Sequence, residues 1–318
     1  MKKALKILGI LIGIVVLFIV CGALYINIDG IPNYEPKNPD YKVTITPEKV
    51  ERGKKLASVL CVHCHQNSET GKLTGREMLE APQFGKLFSQ NITHDPEYGI
   101  GKWTDGQILY LLRTGVLKDG RYSPPWMAKL PHMSDNDIES VIAFLRSEDP
   151  LVAAQAVPDK PCEPSFLAKF LSHIAFKPLP FPEKSIPDVD TTNKVALGKY
   201  LVFNLECFGC HSGDFKDMNV LEPEKTKGYL GGGNPIIDLD GKIIHSANIT
   251  PDKETGIGNW DEAAFIRAVR FGMKENAPAL RFPMLPFPEL TDYEASAIYA
   301  YLKTIPPINH KVERNIQQ

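Results

Sequence analysis

The stretch CVHCH at residues 61–65 sets two cysteines and two histidines in five positions, and CFGCH at 207–211 repeats the pattern with one histidine fewer. At this composition one C-x-x-C-H arises by chance in roughly three chains per thousand, and two far less often. The pair therefore needs a chemical reason, and three are available: a zinc ion, a redox dithiol or a covalently held haem. Zinc asks for four nitrogen or sulfur ligands converging tetrahedrally. A redox dithiol of the thioredoxin kind asks for an α/β context. Covalent haem asks only for what each motif contains, two cysteines one helical turn apart for thioether bonds and a following histidine for iron.

A repeat working outward from these motifs decides among the three. NITHDPEYGIGKW at 91–103 returns as NITPDKETGIGNW at 248–260, a constant offset of 157. The two halves therefore read as homologous domains. Zinc fails the comparison, because His63 and His94 in the first half face Gly209 and Pro251 in the second. The thioredoxin reading fails because strand signals are sparse and the pattern is helical. Haem fits every position: Cys61, Cys64 and His65 form one site, Cys207, Cys210 and His211 the other, with His63 a surface residue and Phe208 a tolerated spacer.

The same offset aligns Ser134 with Thr291 as helix N-caps, and Ile138, Val141, Ile142 and Leu145 with Ala295, Ile298, Tyr299 and Leu302 as an i, i+3, i+4, i+7 stripe. Upstream, TDGQILYLLRTG and DEAAFIRAVRFG each give a helix closed by glycine, Gly115 and Gly272. A further helix runs into each cysteine motif, with Gly53 and Gly198 in corresponding places. The expected class is mainly α. Domains of this size with long loops have modest cores, which a large buried cofactor would help to stabilise.

Haem iron closed by a second ligand suits electron transfer, and methionine is the usual partner of histidine there. Of seven methionines only Met127 and Met284 share the offset, so they are the expected distal ligands. Met133 stands opposite Leu290 and is expected to pack in a core; Met78, Met218 and Met273 have no repeat partner. Trp103 aligns with Trp260 and Arg113 with Arg270. An indole N–H and a guanidinium could serve buried haem propionates. The plainer alternative is one core tryptophan and one solvated helix arginine per domain. Asn91 and Asn248 sit in glycosylation sequons, but their matched positions point to a structural turn.

A net charge of -2 gives no reason to expect nucleic acid. Outside the motifs, Cys21 lies in an apolar run and Cys162 lacks an evident partner, which argues against a disulfide framework. The N-terminus, with Lys2, Lys3 and Lys6 ahead of an uncharged run from Ile7 to Ile26, is long enough to span a bilayer. Positive-inside logic then places the remainder outside the cytoplasm, on the periplasmic face of the inner membrane. A cleaved signal peptide is the competing reading and exports the domains equally. The expected boundaries are an anchor or signal segment at 1–27, a tether at 28–45, domains at 46–148 and 191–308 around a linker at 149–190, and a tail at 309–318.

The two motifs, together with GGGNPIIDLDGKIIHSANITPDKETGIGNWDEAAF and the Met-Leu-Pro-Phe-Pro loop, resemble the c-type cytochrome subunits of bacterial membrane-bound alcohol and gluconate dehydrogenases. The likeness covers roughly residues 46–148 and 191–304. It implies two tandem class I cytochrome c folds, two haem c groups with His/Met iron, and passage of electrons from a dehydrogenase or quinol-linked donor to an oxidase or another cytochrome of the respiratory chain. That family typically has three haem motifs, and this chain has two. On this reading the chain is an electron carrier and not itself an enzyme. A dihaem peroxidase is the alternative, and a metal-stapled interaction module a third.

Overall fold

The computed structural model describes residues 2–274 and 277–313, so residues 314–318 of the expected tail and residue 1 lie outside the described residues. It is mostly helical. Helix α1, Lys2–Asp29, has mean hydropathy 3.1 in its most apolar window, none of which is buried, and is long and apolar enough to cross a membrane.

The first half is built on α2, Pro47–Leu60, which leads through Cys61 into the single turn α3, Val62–His65, and on α4, Asp105–Thr114, and α5, Asp135–Leu145. Thr46 caps α2 by accepting from Lys49 N, with Pro47 at the first helical position, where its missing N–H goes unneeded. Thr104 closes a capping box with Gln107, and Gly115 ends α4 at φ 83°, a left-handed conformation that glycine adopts without strain. Strands β1, Glu77–Met78, and β2, Gly85–Phe88, form an antiparallel sheet completed by β3, Glu163–Pro164. Helix α6, Phe166–Ile174, follows.

The second half repeats this plan. Helix α7, Lys194–Asn204, leads into α8, Cys207–His211; the hairpin of β4, Pro235–Ile237, and β5, Ile243–His245, is followed by α9, Glu262–Phe271, and α10, Asp292–Leu302. Thr291 and Glu294 make a capping box on α10, and Gly272 closes α9 at φ 72°. Apolar side chains gather into two large clusters, one around Leu56, Ile138, Ile142 and Phe144, the other around Leu201, Phe265, Ile298 and Leu302.

In both halves the first and last helices cross with backbones nearly touching. A Cβ on Gly53 would stand 1.8 Å from Ser140 O, and one on Gly198 would stand 1.9 Å from Ala297 O. Ser140 and Ala297 are themselves separated by the repeat offset. Only glycine permits this approach.

Two connecting segments are less free than their composition suggests. Along the expected tether, Tyr34 N donates to Gly120 O at 2.8 Å, the Tyr34 and Tyr122 rings meet edge to face, and Val43 is buried with its N–H on Asp105. The expected linker supplies both β3 and α6. The run KPLPFPEKSIP, residues 177–187, follows α6 without regular secondary structure.

The halves meet about an approximate two-fold. Lys55 Nζ of the first half donates to the Glu294 carboxylate at 2.6 and 2.7 Å, while Tyr200 OH of the second donates to Asp137 Oδ2 at 2.7 Å. Tyr200 occupies the place of Lys55, and Asp137 that of Glu294, so the same surface is used twice, as in an isologous dimer. Leu56 and Leu60 face Leu201 and Leu205 across it, with Met133 and Leu290 alongside.

Candidate functional site

Each cysteine motif is one helical turn placed at the end of a long helix. Leu60 and Leu205 differ by 145 positions and the first cysteines by 146, so the second half carries one inserted residue, Glu206. It takes a left-handed backbone, φ 50°, which absorbs the insertion and restarts the helix at Cys207. Burial raises its carboxyl and lowers the ammonium of Lys129 in the other half, and each charge partly offsets the other.

The histidines are oriented alike. His65 Nδ1 lies 2.7 Å from Gln90 O, and His211 Nδ1 lies 2.8 Å from Ala247 O. Gln90 and Ala247 share the 157 offset. The imidazole must donate from Nδ1 to a carbonyl, which fixes the tautomer with Nε2 as the basic nitrogen. The main chain is anchored in the same way, with Gly75 N donating to His65 O at 2.8 Å and Gly232 N to His211 O at 2.7 Å.

The thiols lack the environment of a reactive dithiol. Burial pushes the Cys61 and Cys207 thiols up to about 12 and Cys64 up to about 11, whereas a reactive redox thiol needs a lowered value. The histidines that zinc would require turn elsewhere: His94 Nε2 lies 2.6 Å from Leu145 O, and His63 lies 3.3 Å from Glu80. Burial would raise the Glu80 carboxyl, but His63 and Arg76 beside it outweigh this and hold it near 2. Gly209, the counterpart of His63, has its own reason, since a Cβ there would meet Met218 Sδ at 3.1 Å. Two cysteines, an oriented imidazole and an adjoining apolar cluster fit covalent haem.

Met127 packs on the first cluster together with Cys61 and Trp103. In the second half, Cys207, Trp260 and Phe287 pack on the second cluster, and Met284 is half-buried on the loop that ends at Phe287. Met133 and Leu290 are fully buried core residues. The methionine loops are tied back identically, Leu130 N donating to Leu112 O and Phe287 N to Val269 O, both at 2.8 Å.

Arg113 is not the solvated helix arginine of the plainer alternative. It is 1% exposed and donates to Leu130 O at 2.6 Å, Met133 O at 2.7 Å and Asp135 at 2.6 Å. Arg270 reaches the equivalent aspartate, Asp292, and on the loop Pro288 O, one residue past the counterpart of Leu130. Both guanidiniums brace the methionine loop against the cap of the last helix. The tryptophans lie at the cluster edges, Trp103 with Lys118 Nζ 5.1 Å from its ring and Trp260 with its carbonyl accepting from Tyr299 OH at 2.6 Å. Asn91 and Asn248 are buried in turns closed by Thr93 and Thr250, which settles them as structural. Cys162 lies exposed, its Sγ 3.4 Å from Phe88 O.

An aromatic bridge that the repeat gave no sign of joins the two halves. Phe84 shares a cluster with Cys64 and Trp126, and its ring meets Phe215 of the second half at 5.9 Å and 90°.

Residues 50–149 match the Cytochrome c family. The chain is 30% identical over 233 residues to the cytochrome c subunit of the quinone alcohol dehydrogenase of Gluconobacter oxydans (strain 621H), covering 70% of this chain and 47% of that one. It is 29% identical over 273 residues to the fructose dehydrogenase cytochrome subunit of Gluconobacter japonicus, covering 81% and 52%. A diheme cytochrome c-type protein of Cereibacter sphaeroides is 28% identical over 265 residues, covering 78% and 82%. The chain thus spans about half the length of the two dehydrogenase subunits. Residues 50–149 form a cytochrome c domain, and the chain resembles the cytochrome c subunits of bacterial dehydrogenases.

Proposed function

We propose that the chain is a membrane-tethered dihaem cytochrome c that relays single electrons from a dehydrogenase or quinol-linked donor to the respiratory chain, with α1 in the inner membrane and both haem domains on the periplasmic side. The observation that carries this reading is the duplicated orientation of His65 and His211 by repeat-equivalent carbonyls. Haem c, when bound, supplies a one-electron ferric/ferrous couple. Cys61, Cys64 and His65 would hold one group and Cys207, Cys210 and His211 the other, with Met127 and Met284 as distal ligands.

The protein's own part is to fix these ligands and to limit reorganisation. The Nδ1 bonds raise the basicity of each imidazole and lock its plane. The arginine braces hold a weak thioether ligand in place in either oxidation state. Phe84, in the cluster that Cys64 packs on, meets Phe215 of the second half edge to face and ties the two halves together beside the first site.

Carbon monoxide distinguishes a relay from a peroxidase. If Met127 and Met284 close both irons, the reduced native protein leaves its Soret band unchanged under carbon monoxide. A shift in the native protein would mean that one iron is open and would favour the peroxidase reading.

A further inference from the structure

Helix α6 leaves an apolar stripe uncovered. Ala168 and Ser172 are fully buried, with Ala168 and Leu171 packed against Met78, Phe84 and Leu87. Phe166, Leu167, Phe170 and Ile174 are 48%, 42%, 37% and 60% exposed. At 3.6 residues per turn these four fall within an arc of about 100°, centred on the side of the helix away from Ala168 and Ser172. A helix presenting so many large apolar groups to water is unfavourable, and this pattern is that of helices lying in a membrane interface.

The neighbour of α6 identifies what covers the stripe. Lys169 Nζ donates to Asn27 O at 3.2 Å and to Asn27 Oδ1 at 2.9 Å. His173 Nε2 lies 3.1 Å from Gly30 O and 3.5 Å from the Asp29 carboxylate, and the Tyr25 ring meets His173 edge-on at 5.9 Å. All these contacts fall at residues 25–30, where α1 passes from its uncharged run into its first polar residues. That is the level at which a spanning helix leaves the hydrocarbon. Lys169 and His173 sit about 90° around α6 from the stripe, so α1 passes alongside α6 and leaves the stripe open to whatever surrounds the end of α1.

We propose that α6 lies in the surface of the phospholipid bilayer that α1 crosses, with Phe166, Leu167, Phe170 and Ile174 inserted at the boundary of headgroups and acyl chains. This rests on the reading of α1 as a membrane anchor. The second attachment fixes the orientation of the first half. Because Cys64 and Trp126 pack on the same cluster as Ala168 and Leu171, it also sets the first haem site at a defined height above the membrane.

The test uses the full chain reconstituted in phosphatidylethanolamine and phosphatidylglycerol vesicles that contain a phospholipid with a diazirine near the top of one acyl chain. After illumination, labelled peptides are mapped by mass spectrometry. Labelling of α1 and of residues 166–174 is expected. In Phe166→Ser/Phe170→Ser/Ile174→Ser, labelling of 166–174 should fall roughly tenfold while α1 labelling and the haem spectrum stay unchanged. Labelling of α1 alone in the native protein overturns the proposal, keeps the anchor and assigns the stripe to a protein partner. Labelling of neither segment overturns both, and undiminished labelling of 166–174 in the triple variant also overturns the proposal.

Discussion

At Met284 the ligand and packing roles predict opposite results. Met284→Ala should open one iron to carbon monoxide. Met284→His should lower the potential of one haem by on the order of 0.1 V, within the ~0.8 V range that axial ligands command, and leave the other nearly fixed. Met133→Leu should do neither, because Leu290 already fills that place in the second half. Redox titration of these variants checks all three outcomes. Arg113→Leu leaves two carbonyls and a carboxylate without their donor, so it should destabilise the first half by about 3 kcal/mol in denaturant unfolding. The paired histidines of the two cysteine motifs were legible in the sequence because side-chain identity and spacing declare them. The carbonyls of Gln90 and Ala247 were not, since a backbone acceptor has no residue code. The task of Arg113 was hidden for the related reason that its partners are mostly main-chain atoms 17 to 22 residues away.

Helix crossings carry the fold of each half. Glycine to alanine in the middle of a helix normally stabilises it by about 1 kcal/mol. Gly53→Ala and Gly198→Ala should reverse that sign, because the added methyl would collide with Ser140 O or Ala297 O and force the crossing apart at a cost of about 1–3 kcal/mol. Thermal or denaturant melts of the two variants test this directly, and a gain in stability would contradict it. The caps and glycine stops of α4, α5, α9 and α10 could be read from sequence because they depend on local hydrogen bonds. The packing of the tether, the strand β3 and the placement of α6 depend on contacts far along the chain. A composition rich in proline and asparagine does not reveal those contacts.

For the whole molecule, the matched contacts of Lys55 with Glu294 and of Tyr200 with Asp137 hold the two sites in register. Burial would raise the Glu294 carboxyl, but Lys55 and the N-cap Thr291 outweigh it and leave it below the ordinary carboxylate range. A depressed carboxylate contributes stability above about pH 4.5 and loses it as the pH falls through the lowered value. Hydrogen-exchange protection factors along α2 and α7, corrected for the intrinsic slowing of amide exchange in acid, should therefore fall at acid pH, and Glu294→Gln should show lower protection already at neutral pH with less further change on acidification. The repeat made two like halves legible. Their two-fold contact and the Phe84–Phe215 bridge arise from how the halves meet, which no offset encodes.

The central claim is that both cysteine motifs carry covalent haem. Intact-mass measurement of the mature protein, paired with a pyridine haemochrome count, tests it most directly. The account predicts a mass equal to the polypeptide plus two haems and two haemochromes per chain. One haem, or a mass explained by polypeptide and zinc, would contradict it.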